Sequence, residues 1–363
     1  MTPSIAILLP PREAHSGRYR GAVALCMADF TRFSRYRERT VIYCGEQAYF
    51  DDLAHVQLRQ WKRWYLRDNF AWARAFAREC RARGHTHIEV QNRPMMLHYL
   101  RWMLPERIQL SLHLHNDPQT MQGSTSVRER QRLLDRAAAV YCVSDYVRER
   151  FVEGLDHGAD KVHVVHNGID TVAFAPQTKQ QVIVYVGRMI WQKGALPLLE
   201  AFHGIAAQLP EWTLVLCGAD RLEQTSEYER ATHEIITKIG SQCVYTGYVD
   251  HAAVMQYFAG AAIAAVPSVW QEPFGRTALE ALCAGAALIT SASGGIREVI
   301  DEQCALVVDP DQPDSIAAAL LRLANDSGLR TRLQQAGRQR AVEHFDIRHV
   351  AARLDDLRDA LST

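Results

Sequence analysis

Short apolar runs rich in β-branched residues alternate along the whole chain with segments of helical period. The first series reads SIAILL from Ser4, TVIY from Thr40, HIEV from His87, IQLSLHL from Ile108, AVYCV from Ala139 and KVHVV from Lys161. A second reads QVIVYV from Gln181, TLVLC from Thr213, CVYT from Cys243, AAIAAV from Ala261, ALIT from Ala287 and ALVV from Ala305. Such alternation predicts an α/β fold with parallel sheets covered by helices on both faces. Two series predict two doubly wound domains. The polar stretch DTVAFAPQTKQQ, broken by Pro176, separates them, so the domains are expected at 1–176 and 177–344. The last segment, 345–363, carries Val350, Leu354, Leu357 and Leu361 on one stripe and predicts an amphipathic helix.

At 363 residues with 48% hydrophobic positions, the chain can bury two cores. Its longest apolar runs fall far short of the ~20 residues of a membrane span. Met1 is followed by an apolar run without a basic lead, which does not read as a signal peptide, so export is not expected. Eight scattered cysteines, none spaced as CxxC, read as buried thiols in a reducing compartment. Net charge is zero, but residues 1–176 hold 25 Lys+Arg against 19 Asp+Glu, and the remainder 16 against 22. The basic half suits an anionic acceptor or membrane surface. Neither GxGxxG nor GxxxxGK[ST] occurs, which removes the main support for dinucleotide and P-loop readings.

Chemistry concentrates in PSVWQEPFGRTALEALCAG, residues 267–285. Pro273 and Gly275 disfavour a helix interior while RTALEALCA favours one, so a helix is predicted to start near Gly275 or Arg276. Glu272 then lies in the preceding loop and Glu280 about one turn inside. Backbone N–H groups of Phe274, Gly275 and Arg276 point past the same helix start and can donate to hydroxyls or anionic oxygens.

This segment resembles the ExxxxxxxE signature of family 4 glycosyltransferases. Companions stand in the order that family shows: NGID at 167–170, VGRMIWQKG at 186–194, TGYV at 246–249, and SGG with Glu298 at 293–298. The resemblance is strong over 140–310 and weaker over the first 110 residues. It implies the GT-B fold, two Rossmann-like domains facing a central cleft, with the C-terminal helix (345–363) crossing back onto the first. It also implies that the first domain binds an acceptor and the second a nucleotide-sugar donor.

Arg188 and Lys193, at the carboxyl edge of the QVIVYV strand, would by resemblance contact the donor diphosphate, where negative charge develops on the leaving group. Glu280 would accept from the ribose diol, and Glu272 would hold hydroxyls of the transferred sugar with the backbone of Phe274 and Gly275 assisting. Tyr248 and Val249 would border the base. In the first domain, Gly21 before the helix AVALCMADF is favoured over Gly17 for the diphosphate, and His115 would sit beside the transferred sugar. Asn92 and Arg93 are assigned to the acceptor. The catalytic set is thus His115, Glu272, Arg188 and Lys193. Plainer readings stand beside these: exposed loop cations, a solvated helix carboxylate, a core tyrosine, a core strand histidine.

Zinc binding by His113 and His115 lacks further ligands at suitable spacing. The one DxD, Asp309-Pro310-Asp311, reads as a loop leading into a helix near Asp314-Ser315, so no metal and no cofactor are expected. Residues 59–84 carry eight Lys+Arg against two acids among Trp61, Trp64, Tyr65, Phe70, Trp72 and Phe76. That composition fits either a helix resting on anionic lipid or core aromatics with a solvated basic face. Nucleic acid is not expected, since no recognition module is present. The expected activity is metal-independent, retaining hexosyl transfer from a UDP- or GDP-sugar to a saccharide or lipid-linked acceptor in surface polysaccharide or lipopolysaccharide synthesis. Its setting is the cytoplasm or the inner face of the plasma membrane. The rivals are another GT-B enzyme, such as a nucleotide-sugar epimerase or sugar-phosphate synthase, and an inactive sugar-binding paralogue.

Overall fold

Every apolar run of the first series forms a strand in the computed structural model, which describes residues 3–13, 15, 21–58, 68–220 and 226–362. The strands are β1 (Ile5–Leu8), β2 (Thr40–Cys44), β4 (His87–Gln91), β5 (Gln109–Leu114), β6 (Ala139–Cys142) and β7 (Val162–Val164). They join one parallel sheet in the order β3-β2-β1-β4-β5-β6-β7. Its edge strand β3 (His55–Gln57) was not expected. Three residues, none buried, leave no apolar pattern to read. Crossovers run through α1 (Ala22–Phe33), α2 (Asp68–Arg83), α3 (Pro94–Met103), α4 (Val127–Arg136) and α5 (Asp145–Val152). Helix α4 opens on a capping box in which Ser126 and Glu129 each satisfy the other's backbone N–H.

The second series builds β8 (Gln180–Val186), β9 (Thr213–Cys217), β10 (Cys243–Gly247), β11 (Ala261–Val266), β12 (Ala287–Thr290) and β13 (Ala305–Val307). All pair in parallel in the order β10-β9-β8-β11-β12-β13. Central β11 is buried at every position, as a strand covered on both faces must be. Its helices are α6 (Ala195–Ile205), α7 (Glu227–Ile239), α8 (His251–Gly260), α9 (Arg276–Cys283), α10 (Ile296–Val299), α11 (Pro313–Asn325) and α12 (Ser327–Phe345). The terminal helix α13 (Ile347–Ala360) packs on α1 of the first unit, burying Val350, Ala351 and Leu354 with Ile5 and Ile7 of β1.

Contacts divide the chain into Met1–Gly168 with Ile347–Thr363, and Ile169–Asp346. The first boundary thus falls at 168/169, where 176/177 was expected, and the second at 346/347. Residues 169–176 belong to the second unit because its own groups hold them. Ile169 N donates to the Phe345 carbonyl at 2.9 Å, Thr171 bonds Asp346, and Arg338 donates to the carbonyls of Thr171 and Phe174.

In each sheet the strand order reverses once, between β1 and β4 and between β8 and β11. Adjacent crossovers leave on opposite faces there, so the loops at the carboxyl ends part and leave room for a ligand. The loops at these two reversals carry most of the residues singled out in the sequence.

Candidate active site

In the second unit, the chain leaves β8 through Gly187 and exposed Arg188, then makes a 3-10 turn over Trp191–Lys193. The buried Tyr185 hydroxyl donates to the Arg188 carbonyl at 3.2 Å and steadies that turn. Gly194, at φ 71°, closes it; a β-carbon there would lie 1.9 Å from the Pro267 carbonyl oxygen. Only glycine permits this approach, which carries Lys193 against the loop after β11. Lys193 Nζ donates to Glu272 Oε1 at 2.6 Å, and Ser268 Oγ donates to the same oxygen at 2.7 Å. Glu272 is buried, so its carboxylate is held in one place.

The backbone of Glu272 is clasped by the SGG segment. Gly295 N donates to the Glu272 carbonyl at 2.7 Å and Gly294 N to Gln271 Oε1 at 2.8 Å. Gly294 has φ 58°, and a β-carbon on it would meet the Glu272 carbonyl oxygen at 2.3 Å. Helix α9 begins at Arg276 behind Gly275, with Glu272 in the loop before it and Glu280 within. Phe274 is buried, its ring edge-on to Phe345 at 5.9 Å, so any contact it makes with a ligand is through backbone.

Glu280 is buried as well. Its Oε1 accepts from Arg276 Nε at 2.9 Å and lies 2.9 Å from His251 Nε2. Burial by itself would raise this carboxyl, but His251 and Arg276 outweigh it and hold the value down at about 2. Tyr248 and Val249 follow β10 directly; Tyr248 is exposed rather than part of the core. Asp309 and Asp311 form a turn in which Asp311 N donates to Asp309 Oδ1 at 3.1 Å, ahead of α11, whose first residue is Pro313 rather than Asp314.

In the first unit, His115 stands just past the end of β5, not within it. Its Nε2 is 2.9 Å from Gln91 Oε1, and its backbone N donates to Asn92 Oδ1 at 3.1 Å. Burial, then the neighbouring His113, lower its pKa to about 3. His113 Nε2 lies 3.3 Å from Glu89 Oε2, so the two imidazoles have different carboxylate and amide neighbours. Asn92 adopts φ 54°, which asparagine tolerates better than most residues, and its side chain is engaged with His115. Arg93 is exposed beside it, at the N-cap of α3.

Gly21 was expected to meet the diphosphate. Gly21 is the N-cap of α1 at φ −65°, a conformation any residue adopts. The next N–H groups, of Val23 and Ala24, donate to Glu13 Oε1 at 3.1 and 3.2 Å. A side-chain carboxylate therefore occupies the helix start where a diphosphate was expected. Gly17 lies outside the described residues. So do 59–67 of the basic, aromatic segment; within its described part, Trp72 and Phe76 are core residues, whereas Arg74 and Arg78 are exposed on α2.

Four side chains were missed in the sequence, Ser268, His251, Arg276 and Glu13; SGG was singled out, but not its hold on the Glu272 backbone. Arg276 was findable, four residues before Glu280 on one helix face. His251 and Ser268 reach their partners by tertiary packing and carry no local signal.

Two family descriptions match this chain: Glycosyltransferase Family 4 over residues 34–173 and Glycosyl transferases group 1 over residues 170–340. The chain is 26% identical over 311 residues to the putative glycosyltransferase YtcC of Bacillus subtilis, covering 80% of this chain and 76% of that one. It is 30% identical over 231 residues to glycogen synthase of Mycobacterium tuberculosis, covering 62% of this chain and 53%, about half, of that enzyme. Anabaena HepE, solved in complex with UDP and glucose, superposes with a TM-score of 0.80 at 19% identity, over 99% of this chain and all of that one. The two parallel sheets and the paired glutamates agree with these matches: the chain belongs to the group 1, family 4 glycosyltransferases and has their GT-B fold.

Proposed function

We propose that the protein is a retaining, metal-independent hexosyltransferase that uses a UDP- or GDP-sugar and a saccharide or lipid-linked acceptor in surface polysaccharide or lipopolysaccharide synthesis. The observation that carries this reading is the Lys193–Glu272 pair at the β8/β11 reversal, with Arg188 on the same turn and Glu280 on the adjoining helix. Arg188 and Lys193 offer fixed positive charge to a departing diphosphate. Glu280, kept ionised, presents acceptor oxygens to a ribose diol, and Glu272 does the same for hydroxyls of the transferred sugar. In this reading the departing phosphate oxygen takes the acceptor's proton, because no side chain described here is assigned as a nucleophile. His115, neutral near pH 7, contributes hydrogen bonding rather than charge.

The first unit also presents a surface suited to anionic lipid. Trp102 is 79% exposed on α3, its ring 6.5 Å from that of Phe70 on α2. Arg74 and Arg78 follow Phe70 at helical spacing on the same face and are exposed. No helix among the described residues is long and apolar enough to cross a membrane. The proposed association is therefore peripheral, aromatic rings entering the headgroup layer and arginines meeting lipid phosphates.

The deciding experiment incubates the protein with UDP-glucose, UDP-N-acetylglucosamine or GDP-mannose and a panel of saccharide, lipid-linked and sugar-phosphate acceptors, with and without EDTA. Glycosyl transfer with retained configuration, unchanged by EDTA, is expected. Epimerisation without acceptor, a product made only from sugar phosphate, or activity lost to EDTA and restored by Mn²⁺ would each replace this reading.

A further inference from the structure

Three large aromatic side chains of the second unit are exposed on loops leaving the carboxyl ends of its strands: Trp191 after β8, Tyr248 after β10 and Trp270 after β11. An exposed indole forfeits the stabilisation its burial would bring, so its place beside a polar site asks for a partner. Trp270 is the best defined of the three. Lys193 Nζ lies 5.7 Å from its ring centroid while bonding Glu272 Oε1 at 2.6 Å, so indole and carboxylate flank one ammonium. The loops are tied to each other, Val269 N donating to the Gln192 carbonyl at 3.0 Å, which fixes the backbone on either side of the ring.

We propose that Trp270 is a stacking platform for a pyranose ring held through its hydroxyls by Glu272. This rests on the reading of that site as a sugar-transfer site. A pyranose has hydroxyls at its rim and weakly positive C–H groups on its faces. The rim suits a carboxylate; the C–H face suits the negative face of an indole. Trp270 and Glu272 supply both within one short loop. Lys193, attracted to the indole, is held where it also reaches an anionic leaving group. The ring is that of the transferred sugar, whose hydroxyls Glu272 holds in the proposed mechanism.

The test compares wild type with Trp270→Ala and Trp270→Phe, using UDP (or GDP) and whichever of UDP-glucose, UDP-N-acetylglucosamine and GDP-mannose the wild type binds. For Trp270→Ala, affinity for the nucleotide alone is expected to change by no more than about threefold. Affinity for the nucleotide sugar is expected to fall about tenfold, about 1.4 kcal/mol, with most of it restored in Trp270→Phe. Unchanged donor affinity with an acceptor KM raised about tenfold overturns stacking on the transferred sugar and puts the acceptor against the indole. Wild-type values for both in Trp270→Ala overturn the inference alone. A wild-type protein that binds neither free nucleotide nor nucleotide sugar overturns the underlying reading of the site, and this inference with it.

Discussion

Glu280 keeps its charge against deep burial because Arg276 and His251 converge on one of its oxygens. Its folded value of about 2 lies below the ordinary 4.5, so the ionised group contributes stability that is complete above pH 4.5 and is lost as pH falls from there toward 2. A UDP-glucose titration separates this from ligand ionisation, since both phosphates of that donor stay charged. Affinity in the wild type is expected to be flat from pH 7.5 to pH 5. Removing both partners, as His251→Leu with Arg276→Met, lets burial raise the carboxyl, and calorimetry is expected to show affinity falling several-fold across that range. At Glu272 the charge itself is at stake: Glu272→Gln retains shape and is expected to lower kcat at least tenfold, while Lys193→Ala weakens binding of UDP or GDP. Wild-type turnover in the first variant would remove Glu272 from the proposed mechanism.

At the scale of elements, one turn and one helix are set by single residues. The turn after β8 depends on Gly194, since left-handed backbone and the Pro267 carbonyl both exclude a side chain. Gly194→Ala is expected to cost at least about 2 kcal/mol and to displace Lys193, seen as a lower urea midpoint together with weaker UDP binding. Helix α13 is anchored by Arg358, which donates to both oxygens of Glu89 at 2.6 and 2.9 Å and to Asp355 at 2.8 Å, all three side chains buried. Burial would raise Glu89, but Arg358 and then His113 hold it well below the usual carboxylate range. Arg358→Met strands that charge and is expected to destabilise the first unit by about 3–5 kcal/mol; adding Glu89→Gln should recover part of the loss, because Glu89 is then no longer a buried charge without its partner, while Asp355 keeps Arg35 at 3.7 Å. The period of Val350, Leu354, Leu357 and Leu361 revealed the helix, but not the Arg358–Glu89 pair, whose partners stand 269 positions apart.

Charge is a property of the whole molecule here: the total is zero, yet the first 176 residues carry an excess of six positive charges. With Trp102, Phe70 and the exposed arginines of α2, this excess predicts sedimentation of the protein with vesicles of 30% phosphatidylserine but not with neutral phosphatidylcholine. Binding should weaken at 0.5 M salt as the charges are screened, and Trp102→Ser with Arg74→Ser should abolish it. Equal recovery with both vesicle types would set the membrane reading aside and leave the exposed aromatics to another partner.

The sequence by itself determined the alternation of strands and helices apart from β3, the parallel sheets, the family, the loops that hold Arg188, Lys193 and Glu272, and the helix that holds Glu280. Those features are written in local period and contiguous motifs, where residues a few positions apart share one face or one turn. Tertiary structure alone decided which groups meet. It paired Lys193 with Glu272 across 79 positions and set His251 on Glu280 across 29. It placed Glu13 at the start of α1, where a ligand phosphate was expected, and moved the unit boundary to 168/169. Such meetings follow from how sheets stack their crossovers in space, and chain separation carries no trace of them.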